Sequence, residues 1–74
     1  MPIIKDFGSF RISMYFEDHN PPHVHVIGPG FYALVAIADA RILRGAIPAR
    51  HRKRAQKWMA ENQQALFELW DQYQ

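Results

Sequence analysis

Three histidines and an aspartate lie in one short segment, Asp18-His19-Asn20-Pro21-Pro22-His23-Val24-His25. Imidazole is the side chain whose charge changes near neutral pH, and its neutral form is a common ligand of zinc and related metals. The segment therefore suggests proton transfer by a histidine or coordination of a divalent metal ion. A third interpretation is structural, because half-buried histidines often serve only as hydrogen-bonding groups.

The metal hypothesis uses His19, His23 and His25. If His23 and His25 lie on a strand, their spacing puts both imidazoles on one face. A third imidazole from the preceding turn would complete a three-histidine set with an open position, the ligand set of catalytic zinc sites. Asp18 or Glu17 would then be a further ligand, or would accept a hydrogen bond from an imidazole N–H. The cofactor expected on this hypothesis is a divalent metal such as zinc.

Catalysis without a metal would use His23 or His25 as general base or acid, with Asp18 orienting the ring. A ribonuclease-type reaction needs such a base for the 2′-hydroxyl, and cations to stabilise the charge that develops on the phosphate. Arg11, Arg41 and the basic side chains between Arg50 and Lys57 are candidate cations. The sequence leaves three alternatives open: a small ribonuclease-like enzyme, a metal-dependent hydrolase, and a non-catalytic protein-interaction module.

A second group of residues, here called the basic cluster, is cationic. Between Pro48 and Ala60 the sequence has five basic side chains and no acidic one: Arg50, Arg52, Lys53, Arg54 and Lys57. Cations near the start of a helix oppose the helix dipole, and a bound anion would offset that cost. We therefore predict that the basic cluster binds RNA or DNA. The alternative is a solvated helix face.

The strands that would position these residues follow from hydrophobic periodicity. Strict alternation predicts a strand from Phe10 to Phe16, and prolines then predict a turn before a strand that carries the imidazoles. The later segments are rich in residues that favour strands. The three further strands are predicted at about Pro22 to Ile27, Phe31 to Ala38 and Arg41 to Ala46.

After Pro48, apolar residues recur every three or four positions, which predicts an amphipathic helical segment from about Ala49 to Tyr73. Asn62 is a weak helix former and a good N-cap, so one kinked helix and two short helices fit equally well. With two helices, Trp70 and Tyr73 are expected to be exposed. The predicted fold is α+β, a four-stranded antiparallel meander packed against C-terminal helix.

Composition limits the classes of protein that fit. A chain of 74 residues with 49% hydrophobic residues predicts a single folded domain over residues 1–74. The absence of cysteine excludes disulfides, thiolate metal sites and a cysteine nucleophile. No long uncharged apolar run and no signal-peptide pattern is present, so we expect a cytoplasmic protein without a membrane partner. The oligomeric state is left open.

The run from Met14 to Val26, M-Y-F-E-D-H-N-P-P-H-V-H-V, closely resembles a small bacterial family known as domain of unknown function 4160. The resemblance extends over nearly the whole chain. It departs at Ala38-Asp39-Ala40, where a glycine-containing hairpin turn is usual, and at Ile47, where leucine is usual. The resemblance implies a toxin–antitoxin-like gene context with a small cognate protein encoded nearby as partner. It assigns no role to the histidines.

Overall fold

The computed structural model describes residues 3–74, which form a five-stranded antiparallel sheet and two C-terminal helices. The strands are β1 (Ile3–Asp6), β2 (Arg11–Ser13), β3 (His23–Gly28), β4 (Phe31–Ala36) and β5 (Ile42–Gly45). The helices are α1 (Ala49–Glu61) and α2 (Gln63–Tyr73). The strands pair in sequence order, which confirms the predicted α+β meander backed by C-terminal helix.

The sheet has one strand more than predicted, because β1 pairs with β2 at the sheet edge. Only one of the four side chains in β1 is even partly buried, so the hydrophobic pattern of this strand is weak. The strand predicted from Phe10 to Phe16 is also shorter than expected and ends at Ser13. Phe10 and Met14 are buried as the alternation predicts, but Phe16 is 61% exposed because the chain has left the sheet.

The core lies between one face of the sheet and the two helices. On the sheet side it includes Ile12, Val24, Val26, Ala33 and Val35, all fully buried. On the helix side it includes Ala55, Met59, Leu66 and Trp70. Burial of these apolar side chains stabilises the fold by about 25 cal/mol per Å² removed from water. The imidazoles of β3 alternate with Val24 and Val26 and therefore lie on the opposite face of the sheet.

The helical segment is broken at Asn62, so there are two helices. The Asn62 side-chain amide donates a 2.8 Å hydrogen bond to the Trp58 carbonyl, and no side chain caps the start of α2. Asn62 therefore terminates α1 and occupies the N-cap position of α2 as predicted, but its side chain makes no capping hydrogen bond to α2. The expectation that Trp70 is exposed is wrong: it is 5% exposed, whereas Tyr73 is partly buried.

Within residues 3–74, neither helix has the length and apolar character needed to cross a membrane.

Candidate metal centre

Strand β3 positions both imidazoles. His23 pairs with Ala36 and His25 pairs with Leu34 on β4, so the two histidines lie on the same face of the sheet, as predicted. The helices pack mainly on the opposite face, although the Trp70 ring of α2 contacts the His23 ring, with 5.3 Å between ring centres. His23 and His25 are only 6% and 5% exposed. A second part of the chain also covers them.

The cover is the segment of residues 14–22 that connects β2 to β3. It is tied to the end of α2, because the Glu17 N–H donates a 3.1 Å hydrogen bond to the Tyr73 carbonyl. The Gln74 side-chain amide also donates to the Tyr15 carbonyl, at 3.3 Å. The Tyr15 ring then lies 4.0 Å from the His25 ring, centroid to centroid. The segment therefore carries its polar residues over the imidazoles.

Asp18 lies at the centre of this arrangement. A single carboxylate oxygen, Oδ2, is 3.0 Å from Nε2 of His23 and 2.9 Å from Nε2 of His25. One potential ligand atom from each of the three residues lies within 4.8 Å of the other two. Two ligands of a tetrahedral zinc ion are about 3.3 Å apart, given metal–ligand lengths near 2.0–2.1 Å. The three residues are therefore close enough to bind a metal ion.

The other nitrogen of each imidazole is held by a partner outside this cluster. Nδ1 of His23 donates a 2.8 Å hydrogen bond to the Pro21 carbonyl. Nδ1 of His25 is hydrogen-bonded to the Tyr32 hydroxyl, at 2.5 Å. Metal-ligating histidines typically have such a partner, which fixes the ring orientation and leaves the second nitrogen for the metal. Both rings therefore present Nε2 to the same point.

The contact between Nε2 of His23 and Oδ2 of Asp18 requires a proton or a metal ion between the two atoms. A carbonyl oxygen only accepts hydrogen bonds, so Nδ1 of His23 carries a proton. If the ring is neutral, Nε2 has a lone pair that faces the carboxylate oxygen 3.0 Å away, which is repulsive. A proton on Nε2 removes this repulsion and makes His23 a cation. A metal ion between the two atoms removes it equally well.

The environment also shifts two pKa values. Partial burial by itself would raise the pKa of Asp18, but the hydrogen bonds from His25 and from the His19 backbone, with the charge of the two imidazoles, lower it below 3.8. Burial, with smaller contributions from Tyr15 and Asp18, raises the pKa of Tyr32 above its ordinary value. At neutral pH the site thus contains a carboxylate and a protonated phenol.

The cluster opens into a cleft of about 480 Å³. Asp18 and the two imidazoles line it together with Leu34, Leu43 and Arg44. The pairing of β4 with β5 is irregular here: Leu34 pairs with Arg44 and Val35 with Ile42, so Leu43 is an extra residue. A β-bulge of this kind redirects side chains. Leu43 and Arg44 therefore both face the cleft.

His19, which the sequence suggested as a third ligand, lies outside the cluster. It is exposed at the cleft, and its backbone N–H donates a 2.9 Å hydrogen bond to the other oxygen of Asp18. The ligand set that the structure brings together is Asp18, His23 and His25, not the three histidines. The turn that carries Asp18 and His19 presents the carboxylate, and not the neighbouring imidazole, to the rings on β3. Sequence spacing cannot distinguish these two adjacent residues.

Sequence analysis did not assign Tyr32 or Arg44 to the histidine site. The β3–β4 register places Tyr32 opposite Ile27, diagonally across from His25. The β4–β5 register places Arg44 on the far side of Leu34 from His25. Tyr32 could have been predicted from the sequence, because the turn at Gly28-Pro29-Gly30 determines which residues of β3 and β4 pair. The position of Arg44 depends on the bulge, for which the sequence has no signal.

The basic cluster is exposed at the start of α1. All five of its side chains are exposed, and no carboxylate among residues 3–74 forms an ion pair with any of them. The Arg54 guanidinium lies 5.0 Å from the centre of the Phe7 ring. None of the five residues lines the cleft, and neither Arg11 nor Arg41 does; Arg44 is the arginine found there. The structure therefore does not bring the basic cluster and the histidines into one cleft.

The fold and site together define a small α+β protein with an aspartate–histidine–histidine cluster beneath a connecting segment. The chain belongs to the family Domain of unknown function (DUF4160), whose model matches residues 9–71. The matched region includes all three residues of the cluster and the cleft residues of β4 and β5. No curated protein and no solved structure matches the chain.

Proposed function

We propose that this protein binds a divalent transition-metal ion through Oδ2 of Asp18, Nε2 of His23 and Nε2 of His25. The observation that carries the proposal is the shared contact point: both Nε2 atoms lie about 3 Å from one carboxylate oxygen, while both Nδ1 atoms are engaged elsewhere. Two imidazoles and one carboxylate suit zinc, and the same ligands in a facial arrangement suit ferrous iron.

A metal at this position would retain open coordination sites on the side of the cleft, since three protein ligands leave at least one position free. A bound water there would have its pKa lowered to about 7 and would become a nucleophile at neutral pH. The cleft, which Leu34 and Leu43 also line, would hold a substrate beside that water. The reaction class that we propose is therefore metal-dependent hydrolysis.

Metal titration tests this proposal directly. Purified protein, stripped and then titrated with Co²⁺ or Zn²⁺, is expected to bind one equivalent, and Co²⁺ should produce visible absorption bands from the nitrogen and oxygen ligands. A ligand at a hundred times its Kd stabilises the fold by about 2.7 kcal/mol, which in a chain of this size raises Tm by roughly 10–20 °C.

Two variants form a matched pair for this titration. Asp18→Asn removes a ligand and is expected to abolish the bands and the rise in Tm. His19→Ala removes an exposed imidazole at the same cleft and should change neither. Absence of stoichiometric binding in the unmodified protein, or loss of binding in His19→Ala alone, would refute the proposed ligand set.

A second candidate function, nucleic-acid binding by the basic cluster, is supported by a separate observation. The first turn of α1 contains no acidic residue, its N-cap position is Pro48, which offers no side-chain hydrogen bond, and its five cations have no carboxylate partner in the described part of the chain.

Fluorescence anisotropy with short single-stranded RNA and duplex DNA tests the second candidate. If all five cations contact phosphates, the slope of log K against log salt is about −3.5 for a single strand. Arg52→Glu/Arg54→Glu should abolish binding. The control Arg11→Glu/Arg41→Glu, with the same change in net charge, should bind nearly as well. Equal loss in both double variants, or no dependence on salt, would count against a site at the start of α1.

We also propose that the protein binds a small cognate protein encoded nearby and acts with it in a toxin–antitoxin-like pair, as the family resemblance implies. Phe16 is 61% exposed and packs on the partly buried Tyr73 with 4.6 Å between ring centres, and an exposed aromatic side chain supported in this way is suited to a protein interface. Co-expression with the product of the adjacent gene should yield a stable complex. Phe16→Ser should weaken the complex without lowering Tm, whereas an unchanged complex would exclude this surface.

A further inference from the structure

The charges that line the cleft suggest which ligand it accepts. Asp18 is the only carboxylate among the cleft residues, and Arg44 is the only arginine or lysine. No carboxylate in residues 3–74 forms an ion pair with Arg44. Arg44 is exposed at the cleft without a carboxylate partner, so its guanidinium is free to form charge-assisted hydrogen bonds with an anionic ligand.

The strand register fixes where Arg44 lies relative to the cluster. His25, Leu34 and Arg44 form one cross-strand row over β3, β4 and β5. Two inter-strand spacings of about 4.8 Å put the backbone of Arg44 roughly 10 Å from that of His25. An arginine side chain directed along this row can meet a small anion that lies over Leu34 and contacts the metal position. The bulge at Leu43 adds a second apolar side chain beside it.

We propose that the cleft binds a phosphate monoester dianion, with one phosphate oxygen on the metal and the others on Arg44. This inference depends on the metal site proposed above. A divalent metal held by one carboxylate and two neutral imidazoles has a net charge of one positive unit, and Arg44 adds a second. A phosphate monoester carries about −1.5 to −2 at neutral pH, which matches this charge. The planar guanidinium can also contact two phosphate oxygens at once.

Leu34 and Leu43 suit the ester group of such a ligand. Both line the cleft and neither is fully buried, so an apolar or aromatic substituent on the phosphate can lie against them. The cleft has room for a small ligand of this type, since about 480 Å³ lies within the range of small-molecule sites. The predicted ligand is therefore a small phosphorylated compound with an apolar or aromatic group.

Two ligands of nearly the same shape test the prediction. Phenylphosphonate is a dianion at pH 8 that cannot be hydrolysed, and benzenesulfonate is the corresponding monoanion. Calorimetry on the full chain loaded with Zn²⁺ is expected to show at least tenfold tighter binding of phenylphosphonate. Arg44→Gln should remove most of that difference, and Arg41→Gln, a matched change at an exposed arginine outside the cleft, should keep it.

The zinc affinity of each variant is measured first, which separates this inference from the proposed metal site. If Arg44→Gln binds zinc normally and phenylphosphonate as tightly as the unmodified protein does, the phosphate inference is wrong and the metal site stands. Equal affinity for the phosphonate and the sulfonate would overturn it as well. If the unmodified protein binds no zinc, both proposals fail.

Discussion

The indole ring of Trp70 lies 5.3 Å from the imidazole of His23, centroid to centroid. This contact connects the end of α2 with the start of β3. It places a fluorescent side chain, only 5% exposed, against one of the proposed metal ligands. The electronic state of His23 should therefore affect the emission of Trp70.

The first prediction uses this contact. Binding of Co²⁺ or Ni²⁺, which quench nearby indoles, should reduce the emission of Trp70. Trp58→Phe retains Trp70 as the sole tryptophan and should show the full quenching, whereas Trp70→Phe should show little. Asp18→Asn should remove the effect in either background. Equal quenching of both single-tryptophan variants would mean that the metal binds elsewhere.

The second prediction concerns pH. The pKa of Asp18 is lowered in the folded state, so the folded protein holds the ionised form more strongly than the unfolded chain does. This contribution to stability is present above the unfolded pKa, near 3.8, and is lost as pH falls through the lower folded value. Urea denaturation from pH 7 to pH 2.5 should show Asp18→Asn converging on the unmodified protein at acid pH.

A control for this pH series is Asp71→Asn, because Asp71 is exposed on α2 and forms no ion pair within residues 3–74. This variant should follow the unmodified protein at every pH. If the stability difference between Asp18→Asn and the unmodified protein were constant over the whole series, the ionised Asp18 carboxylate would not contribute to stability as described.

The third prediction concerns Tyr32, whose hydroxyl is hydrogen-bonded to Nδ1 of His25. Tyr32→Phe removes the group that orients the ring, and loss of such a partner typically lowers metal affinity about 10–100-fold. The cost in unfolding free energy should be no more than about 1 kcal/mol, because Tyr32 is 43% exposed and water can replace the hydroxyl. Tyr73→Phe removes a hydroxyl but keeps the backbone carbonyl that accepts the Glu17 hydrogen bond, so it should leave metal affinity unchanged.

The fourth prediction concerns Ser13, which pairs with His25 across β2 and β3 and is fully buried. Its hydroxyl has no hydrogen-bond partner among residues 3–74. A buried hydroxyl without a partner costs about 1–3 kcal/mol. Ser13→Ala should therefore raise the unfolding free energy by about 1 kcal/mol, while Ser9→Ala at an exposed position should have almost no effect. A clear loss of stability in Ser13→Ala would show that the hydroxyl is bonded in solution.

The fifth prediction concerns the turn between β4 and β5. Ala40 adopts a left-handed backbone conformation with φ of 59°, which costs a residue other than glycine about 1 kcal/mol or more. Ala40→Gly should raise Tm by about 4 °C, after allowance for its partly buried methyl group. Ala38→Gly, in the same turn but without a positive φ, should lower Tm slightly, because glycine there adds only unfolded-state entropy. A fall in Tm for Ala40→Gly would mean that the methyl contact outweighs the backbone cost.

The fold was largely predictable, because it follows from short-range patterns. The alternation in β3, the apolar run of β4 and the helical periodicity after Pro48 depend on neighbouring residues, and all three elements formed. Strand β1 was missed because only one of its side chains is even partly buried, so its place in the sheet rests on backbone pairing with β2. Backbone hydrogen bonds leave no trace in hydrophobic periodicity.

The site was predictable only in part, for a related reason. The sequence alone determined that His23 and His25 share a face, because side chains alternate along any strand. It could not choose between the adjacent Asp18 and His19, since that depends on how residues 14–22 are held by hydrogen bonds to Tyr73 and Gln74 at the other end of the chain. The convergence of the Asp18, His23 and His25 side chains on one point was decided by tertiary contacts between residues distant in sequence, and so was the presence of Arg44 in their cleft.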